Sequence, residues 1–296
     1  MSKRDKLPTI LIIGSDSLIG GSLMNFLQKS EEQVVGTTRR DKSQDKSRIY
    51  LDLSENVDEW KCLSSVSVAV ICAGVTKIGT CMEDPIKSSH INVYGVSSLI
   101  KNLVLKGIFV IYLSSNQVFG GSTPYCLPDD PLSPVTEYGK QKAEVEHQIK
   151  QWCDSISIVR FSKVLGPKDQ LFSAWKQALL NNEVIYPFSD MFISPVPLSF
   201  AVKILSLVIA KRLPGILQVS GDRDISYYEA ARLGAQLLGA NEYLLQPTPS
   251  PHLTSYCDGM LTHTTLNISR LKSELGLEPP DVFWTLKSIF INPQAL

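Results

Sequence analysis

The sequence predicts an α/β protein: a doubly wound parallel sheet with a smaller C-terminal lobe. Short apolar runs alternate with stretches whose apolar residues recur at helical spacing, the pattern of parallel strands joined by helices. The first run, Thr9 to Ile13, passes directly into a glycine-rich turn and then a helical stretch. The second half reads instead as helices and a proline-bearing irregular segment.

Thr9 to Ile13 is apolar and β-branched, as suits a strand buried on both faces. The turn is Gly14-Ser15-Asp16-Ser17-Leu18-Ile19-Gly20-Gly21, and Leu23, Met24 and Leu27 follow at helical spacing, with Phe26 beside them. Strand, glycine turn and helix start bring backbone N–H groups and the positive end of a helix to one point, where a pyrophosphate can sit. Ser17 stands where a glycine would allow closer approach, and Asp16 adds a negative charge beside that point. Gln33 to Thr37 reads as the second strand and ends in Thr37-Thr38-Arg39-Arg40. In dinucleotide folds an acid at this strand end holds the ribose 2′-hydroxyl, whereas arginine accommodates a 2′-phosphate. Arg39 and Arg40 therefore favour NADP(H) over NAD(H), with Asp41 as the counter-signal; a solvated basic turn is the alternative.

Arg48 to Asp52 reads as a third strand, with Asp52-Leu53 at its end, and Val66 to Cys72 as a fourth. The fourth runs into Cys72-Ala73-Gly74-Val75-Thr76, whose small residues let backbone approach a ligand. Asp84 to Lys106 has helical spacing through Ile86, Val93, Val96, Ile100 and Leu103, with Asp84 as cap and Pro85 in the first turn. Inside it, Asn92 is placed to hydrogen-bond a neighbouring loop. Gly95, unfavourable in a helix, implies close packing against another element. Ile108 to Leu113 is a fifth strand and ends in Ser114-Ser115-Asn116-Gln117-Val118-Phe119-Gly120, at the sheet edge where open α/β folds bind ligands. Gly120 to Pro134 holds four prolines and two glycines and reads as a long loop covering a site.

Glu137-Tyr138-Gly139-Lys140-Gln141-Lys142-Ala143-Glu144 then reads as the first turns of a helix, with Pro134 suited to its start. Tyr138 and Lys142, four apart, share a face. An ammonium beside a phenol favours the phenolate and makes the phenol a better acid–base group near neutral pH. Such pairs also occur by chance on exposed helices, so this one gains its meaning from the strand ends around it.

Of 296 residues, 44% are hydrophobic and 20% charged, and the formal net charge is zero. These values describe an ordinary soluble chain, with no basic stripe for nucleic acid and no basic amphipathic helix for a membrane surface. The apolar run Ile10 to Ile13 is too short for a signal peptide and Ala201 to Ala210 too short to span a bilayer, so a cytoplasmic protein is expected. Cys62, Cys72, Cys81, Cys126, Cys153 and Cys257 form no C-x-x-C pair and are expected as free thiols. His90, His147, His252 and His263 lack metal-ligand spacing, so no metal site is expected.

In the second half, Gln170 to Leu180 reads as a helix with Leu171, Phe172, Trp175 and Leu179 inward. Trp175 suits core packing better than base stacking. Ser199 to Lys211 and Ser226 to Leu238 are further helices, the latter with Ser226 and Glu229 as a capping pair. Asn241 to Thr264 is irregular, with Pro247, Pro249 and Pro251, and Ser269 to Leu275 and Phe283 to Phe290 are short final helices.

These motifs, in this order, resemble the extended short-chain dehydrogenase/reductase superfamily. Gly14 to Gly20 resembles its glycine turn, and Asp52-Leu53 and Ala73-Gly74 its adenine and central-strand motifs. Asn92-Val93-Tyr94-Gly95 resembles its N-x-x-G pattern. Ser114-Ser115-x-x-Val118-Phe119-Gly120, Tyr138-x-x-x-Lys142 and Val159-Arg160 through Leu165-Gly166-Pro167 follow in family order. Thr76, Ile193-Ser194-Pro195-Val196, Gly215 to Gly221 and Thr265-Leu266-Asn267, with Leu271 and Leu275-Gly276, resemble the dTDP-4-dehydrorhamnose reductase-like branch.

The resemblance implies a Rossmann domain over residues 1–167 and a substrate-binding lobe over 168–296, interleaved with it. It implies that Tyr138 donates a proton to a carbonyl oxygen, that Ser115 hydrogen-bonds that oxygen, and that Lys142 binds the nicotinamide ribose and lowers the tyrosine pKa. It implies cofactor contacts from Gly14, Ser17, Leu18, Ile19 and Gly20 in the turn, and from Arg39, Arg40, Asp52 and Leu53 at the next strand ends. Cys72, Ala73, Gly74, Asn92, Lys142 and Phe161 complete that set. Substrate contacts are implied for Thr76, Ser115, Asn116, Tyr138, Lys163 and Phe172. Asn116 stands where the branch often has an acid, and Lys163 where rhamnose reductases tend to have an aromatic residue. The implied activity is an NADP(H)-dependent reduction of a nucleotide-linked 4-keto sugar, by a protein that could form a homodimer. The alternatives are a nucleotide-sugar epimerase or dehydratase, and a non-catalytic NADP-binding regulatory subunit, a kind the same branch contains.

Overall fold

The apolar run at the N-terminus forms the strand β1 (Thr9–Ile13), all five residues buried. In the computed structural model, residues 9–40, 47–250 and 262–291 are described. Behind β1 come α1 (Leu18–Lys29), β2 (Val34–Thr38), β3 (Arg48–Tyr50) and β4 (Val66–Ile71). Next are α2 (Ile78–Glu83), α3 (Pro85–Ser89), a π-helical turn at His90–Gly95 and α4 (Val96–Leu105). They are followed by β5 (Phe109–Ser115), α5 (Glu137–Ile149), β6 (Ile156–Phe161) and β7 (Val164–Leu165). The remainder is α6 (Gln170–Leu180), β8 (Phe192–Ile193), β9 (Val196–Pro197), α7 (Leu198–Lys211), β10 (Gly215–Val219), β11 (Ile225–Ser226), α8 (Tyr227–Leu238), α9 (Ser269–Leu275) and α10 (Val282–Ile291).

Seven strands form one sheet in the order β10-β6-β5-β4-β1-β2-β3. The pairings β1–β2, β1–β4, β2–β3 and β4–β5 are parallel, as the alternation of strands and helices requires. The chain divides into two units. One comprises Met1–Ser114, Glu137–Val159 and Val202–Ile216, and the other Ser115–Thr136, Arg160–Ala201 and Leu217–Leu296. In the first unit, alternate strand residues share one face: Leu11 and Ile13, Ala69 and Ile71, Val110 and Tyr112. They pack with Val96, Leu99, Ile100 and Leu103 of α4 and Val145 and Ile149 of α5.

The expected single helix from Asp84 to Lys106 is three segments. Asp84 caps as expected, accepting from Lys87 N–H, with Pro85 in the first turn. The π turn then adds a residue to one turn, which rotates everything before it relative to everything after it. Val93, Val96, Ile100 and Leu103 are therefore buried, while Ile86, expected on the same stripe, is 85% exposed. Pro134 likewise lies outside α5, three residues before its first residue, Glu137. The two serines expected after the fifth strand close β5 itself.

In the second unit, α6, α8 and α10 contribute one core. Phe172 stands edge-on to Trp175 and to Phe290, at 5.4 and 5.9 Å between ring centroids, and Trp175 edge-on to Tyr227. Trp175 is thus a core residue, whereas Leu171, expected inward, is 40% exposed in the first turn of α6. The Ser226–Glu229 capping box is present in full. Asp224 accepts from the backbone and hydroxyls of both Thr264 and Thr265, at 2.7 to 3.0 Å, and so pins the chain that leads toward α9. Pro251 and Cys257 of the irregular segment, His252, and Asp41 lie outside the described residues.

Gly95 meets the close approach expected of it: a Cβ there would lie 2.2 Å from the Leu53 carbonyl oxygen, a backbone atom with little freedom to retreat. Gly95→Ala is expected to destabilise the protein by about 1–3 kcal/mol, the usual cost of overpacking a tight site. Denaturant melts check this, and an unchanged midpoint would show that the π turn yields without strain.

Candidate active site

Tyr138, Lys142 and Glu146 follow one another at four-residue intervals along α5 and so share a face. The helix places that face toward the end of β5. Lys142 is buried, and its Nζ donates to the Leu113 carbonyl at 2.8 Å. One residue on, the Ser114 hydroxyl donates to Glu146 Oε1 at 2.5 Å, both groups buried. The ammonium lies 4.6 Å from the centroid of the Tyr112 ring and 5.7 Å from that of Tyr138. Burial brings the Lys142 pKa down to about 8, while Glu146 and then Cys72 and Cys81 pull it up. Burial also pushes the Cys72 thiol up to about 12 and the Tyr112 phenol well above its usual range, so both stay neutral near pH 7. The Tyr112 hydroxyl is buried without a hydrogen-bond partner. The local result is a buried cation against a half-buried phenol.

A second network fixes the loop after β4. Asn92, in the π turn and buried, accepts from Val75 N–H at 2.7 Å and donates to Val75 O at 2.8 Å. Its amide also donates to Gln141 Oε1 at 2.7 Å, and Gln141 Nε2 donates to Ser88 Oγ at 2.8 Å. The polar residue expected to bond a neighbouring loop does so, and it also ties that loop to α5 at the residue before Lys142. Cys72, Ala73 and Gly74 lie along this loop, and Thr76 is exposed at its far end.

The glycine turn is built by backbone constraint. Gly14 has φ +84°, and a Cβ there would lie 2.8 Å from Ala73. Ser17 is the N-cap of α1, accepting from Gly20 N–H at 3.1 Å and donating to Gly14 O at 2.8 Å. That cap is legible in the sequence as a serine preceding a helical stretch. Leu18 and Ile19 N–H, in the same first turn, have no intrahelical acceptor by helix geometry. Asp16 does not simply face solvent. Its carboxylate accepts from the Thr38 hydroxyl at 2.6 Å, and Thr38 Oγ1 also accepts from Arg40 N–H. Arg39 and Arg40 are exposed, and no carboxylate among the described residues pairs with either. Asp52 holds Ser54 through an Asx turn, and Leu53 is buried. These features fit a dinucleotide: spare helix N-terminal donors, a turn held open by Gly14, and exposed guanidinium groups beyond β2.

The remaining expected residues belong to the second unit. Ser115 caps a 3₁₀ turn, Asn116–Val118, accepting from Gln117 N–H at 3.2 Å and donating to Asn116 Oδ1 at 3.3 Å. Lys163 is exposed and faces Asp169 at 3.7 Å. Phe161 is buried, and Phe172 is fully buried against Trp175 and Phe290, so its ring belongs to the core rather than to a surface that could meet a substrate. Sequence reasoning passes over Glu146, Gln141, Ser88 and Tyr112. For Glu146 a signal exists, its four-residue spacing from Lys142; for Ser88 and Tyr112 there is none, because only tertiary packing brings them in. Among the described residues no group of three His, Cys, Asp or Glu could hold a metal, and Cys62, Cys72, Cys81, Cys126 and Cys153 are free. No helix among them is long and apolar enough to cross a membrane.

Residues 8–289 match the family described as RmlD substrate binding domain. Among curated relatives, methionine adenosyltransferase 2 subunit beta of Rattus norvegicus is 28% identical over 162 residues, 55% of this chain and 48% of the relative. The chain therefore spans about half the length of the first relatives it matches. The dTDP-4-keto-6-deoxy-D-glucose reductase of Streptomyces niveus is 24% identical over 82% of this chain and 83% of its own. In three dimensions, a dTDP-4-dehydrorhamnose reductase from Clostridium acetobutylicum superposes with a TM-score of 0.83 at 19% identity, covering 97% of this chain and 100% of that one. One from Bacillus anthracis in complex with NADP superposes at 0.78 and 19% identity, covering 96% and 98%. The strand order, the motifs and these matches agree: the chain belongs to the RmlD substrate-binding-domain family and has the doubly wound fold of the extended short-chain dehydrogenases/reductases.

Proposed function

We propose that the protein is an NADP(H)-dependent reductase of a nucleotide-linked 4-keto sugar. The observation that carries this reading is Lys142, buried as a cation at the end of β5 and 5.7 Å from the Tyr138 ring. Burying an ammonium is unfavourable, and fold stability alone gives no reason to do it. Next to a tyrosine that must release a proton it has a use, because the positive charge stabilises the phenolate left behind.

The nicotinamide, when bound, supplies the hydride. Tyr138 then gives its phenolic proton to the sugar oxygen, and Lys142 offsets the charge that forms on the ring oxygen. Ser115 donates a second hydrogen bond to the same oxygen; its hydroxyl rotates away from Asn116 Oδ1 to do so. The donors at Leu18 and Ile19 would hold the pyrophosphate, and Asn92 fixes the loop after β4 through Val75. Thr76, Asn116 and Lys163 contribute polar contacts to the substrate.

The preference for NADP(H) rests on Arg39 and Arg40, exposed beyond β2 with no carboxylate partner among the described residues. Asp16 opposes it with a carboxylate bound to Thr38. Arginine accommodates a 2′-phosphate at this strand end, so we assign the preference to Arg39 and Arg40. A non-catalytic reading is favoured by one observation, the partial match to a methionine adenosyltransferase subunit. The presence of Ser115, Tyr138 and Lys142 together favours the enzyme.

Screening the purified protein for NADPH oxidation against a panel of nucleotide-linked keto sugars tests the activity. Turnover is expected with at least one 4-keto sugar, and Tyr138→Phe is expected to remove about 10²–10⁴-fold of it while leaving NADPH affinity nearly unchanged. No oxidation with any member of the panel would favour the regulatory reading. For the cofactor, Arg39→Ala is expected to weaken NADPH binding about tenfold or more and NADH binding little, since a charge-assisted phosphate contact is lost. Calorimetric titration of both cofactors reads this, and equal NADPH affinity in wild type and variant would overturn the NADP(H) preference.

A further inference from the structure

Glu146 is a buried titratable group with no part in the reaction proposed above. It lies on the same face of α5 as Tyr138 and Lys142, one turn beyond the lysine. The residue is 4% exposed, and a carboxylate is costly to bury unless it is bonded and serves a nearby cation. Two successive residues of β5 are gripped by two successive turns of α5: Leu113 O by Lys142 Nζ, and Ser114 Oγ by Glu146 Oε1. The strand end thus anchors the ammonium and the carboxylate on adjacent residues.

We propose that Glu146 is a positioning residue: its carboxylate, anchored by Ser114, keeps the Lys142 ammonium charged and seated at the end of β5. The inference rests on the reductase reading only for its purpose, since the coupling itself needs no substrate. The groups that act on the Lys142 amine are few. From α5 come Tyr138 and Glu146, from β5 Tyr112, from the end of β4 Cys72, and from α2 Cys81. Glu137 bears on Cys81 rather than on the lysine, and His90, in the π turn, meets Ser54 O instead. Cys72 and Cys81 both have thiol pKa values raised by burial, and the Tyr112 phenol is held neutral in the same way. Among the described residues Glu146 is therefore the one carboxylate in the set, and it opposes the burial that would strip the lysine of its proton near pH 7. A role confined to holding Ser114 would leave the lysine's titration where it is.

The test is the titration of the Lys142 ε-methylene by carbon NMR on lysine-labelled full-length protein, with the resonance assigned by its loss in a Lys142→Arg variant. In wild type the midpoint is expected near pH 8. Glu146→Gln is expected to lower it by about one pH unit or more, the size of effect a neighbouring opposite charge produces. Glu146→Asp, which keeps the charge but draws it back, should fall between the two. A Glu146→Gln midpoint equal to wild type overturns the proposal. Should that variant fail to fold, a Glu146→Asp midpoint equal to wild type overturns it too. Because the readout uses neither substrate nor turnover, its outcome is separable from that of the keto-sugar screen: failure here with turnover intact would sink the inference alone.

Discussion

The constraint on which the site depends is the burial of one ammonium. Lys142 lies in the packed layer between α5 and the sheet, where a neutral side chain would be easier to accommodate, and its surroundings are arranged around that charge. The Leu113 carbonyl accepts from it, two aromatic rings lie beside it, and Glu146 answers its charge from the next turn. The C-terminal end of β5 is held by these contacts, and Ser115 follows directly in the chain. A lysine pKa brought down to about 8 still leaves the group mostly charged at neutral pH, but with little margin. That balance between burial and a compensating carboxylate makes the site chemically useful and energetically delicate.

The phosphate end of the site follows different physics. There the chain relies on backbone conformation and one cap. Gly14 lets the turn pass against Ala73, and Ser17 both caps α1 and closes the turn onto Gly14 O. A glycine at position 17 would give a ligand more room but would lose the cap. Asp16 tethers the turn to the tip of β2 through Thr38, which also accepts from Arg40 N–H. A carboxylate and two arginines thus lie within a few residues of one strand tip.

Much of this is legible in the sequence, for physical reasons that can be named. β1 and the glycine turn are readable because a fully apolar run ending in glycine has few other uses. The capping box of α8 is readable because Ser226 and Glu229 stand at the spacing that satisfies two backbone donors. The π turn is not, since its signature is a hydrogen-bond pattern rather than a composition, and a continuous helical stripe therefore misplaces Ile86. Helical spacing already places Phe172 inward, where it lies; the substrate contact came only from the resemblance, and the ring's packing against Trp175 and Phe290 takes it away. The four-residue spacing puts Glu146 on the face of Lys142, but only the arrival of Ser114 from β5 shows it as a buried partner.

The central claim, that Lys142 is buried as a cation at a cost in stability, is tested most directly by comparing the unfolding free energies of wild type and Lys142→Met across pH. A lysine whose folded pKa is lowered from its ordinary value to about 8 binds fewer protons folded than unfolded between those two values. Stability attributable to it therefore rises with pH through that window. Wild type is expected to gain on the methionine variant by about 3 kcal/mol as pH rises from about 8 to the ordinary lysine pKa. A stability difference that stays flat across the same range would contradict the account.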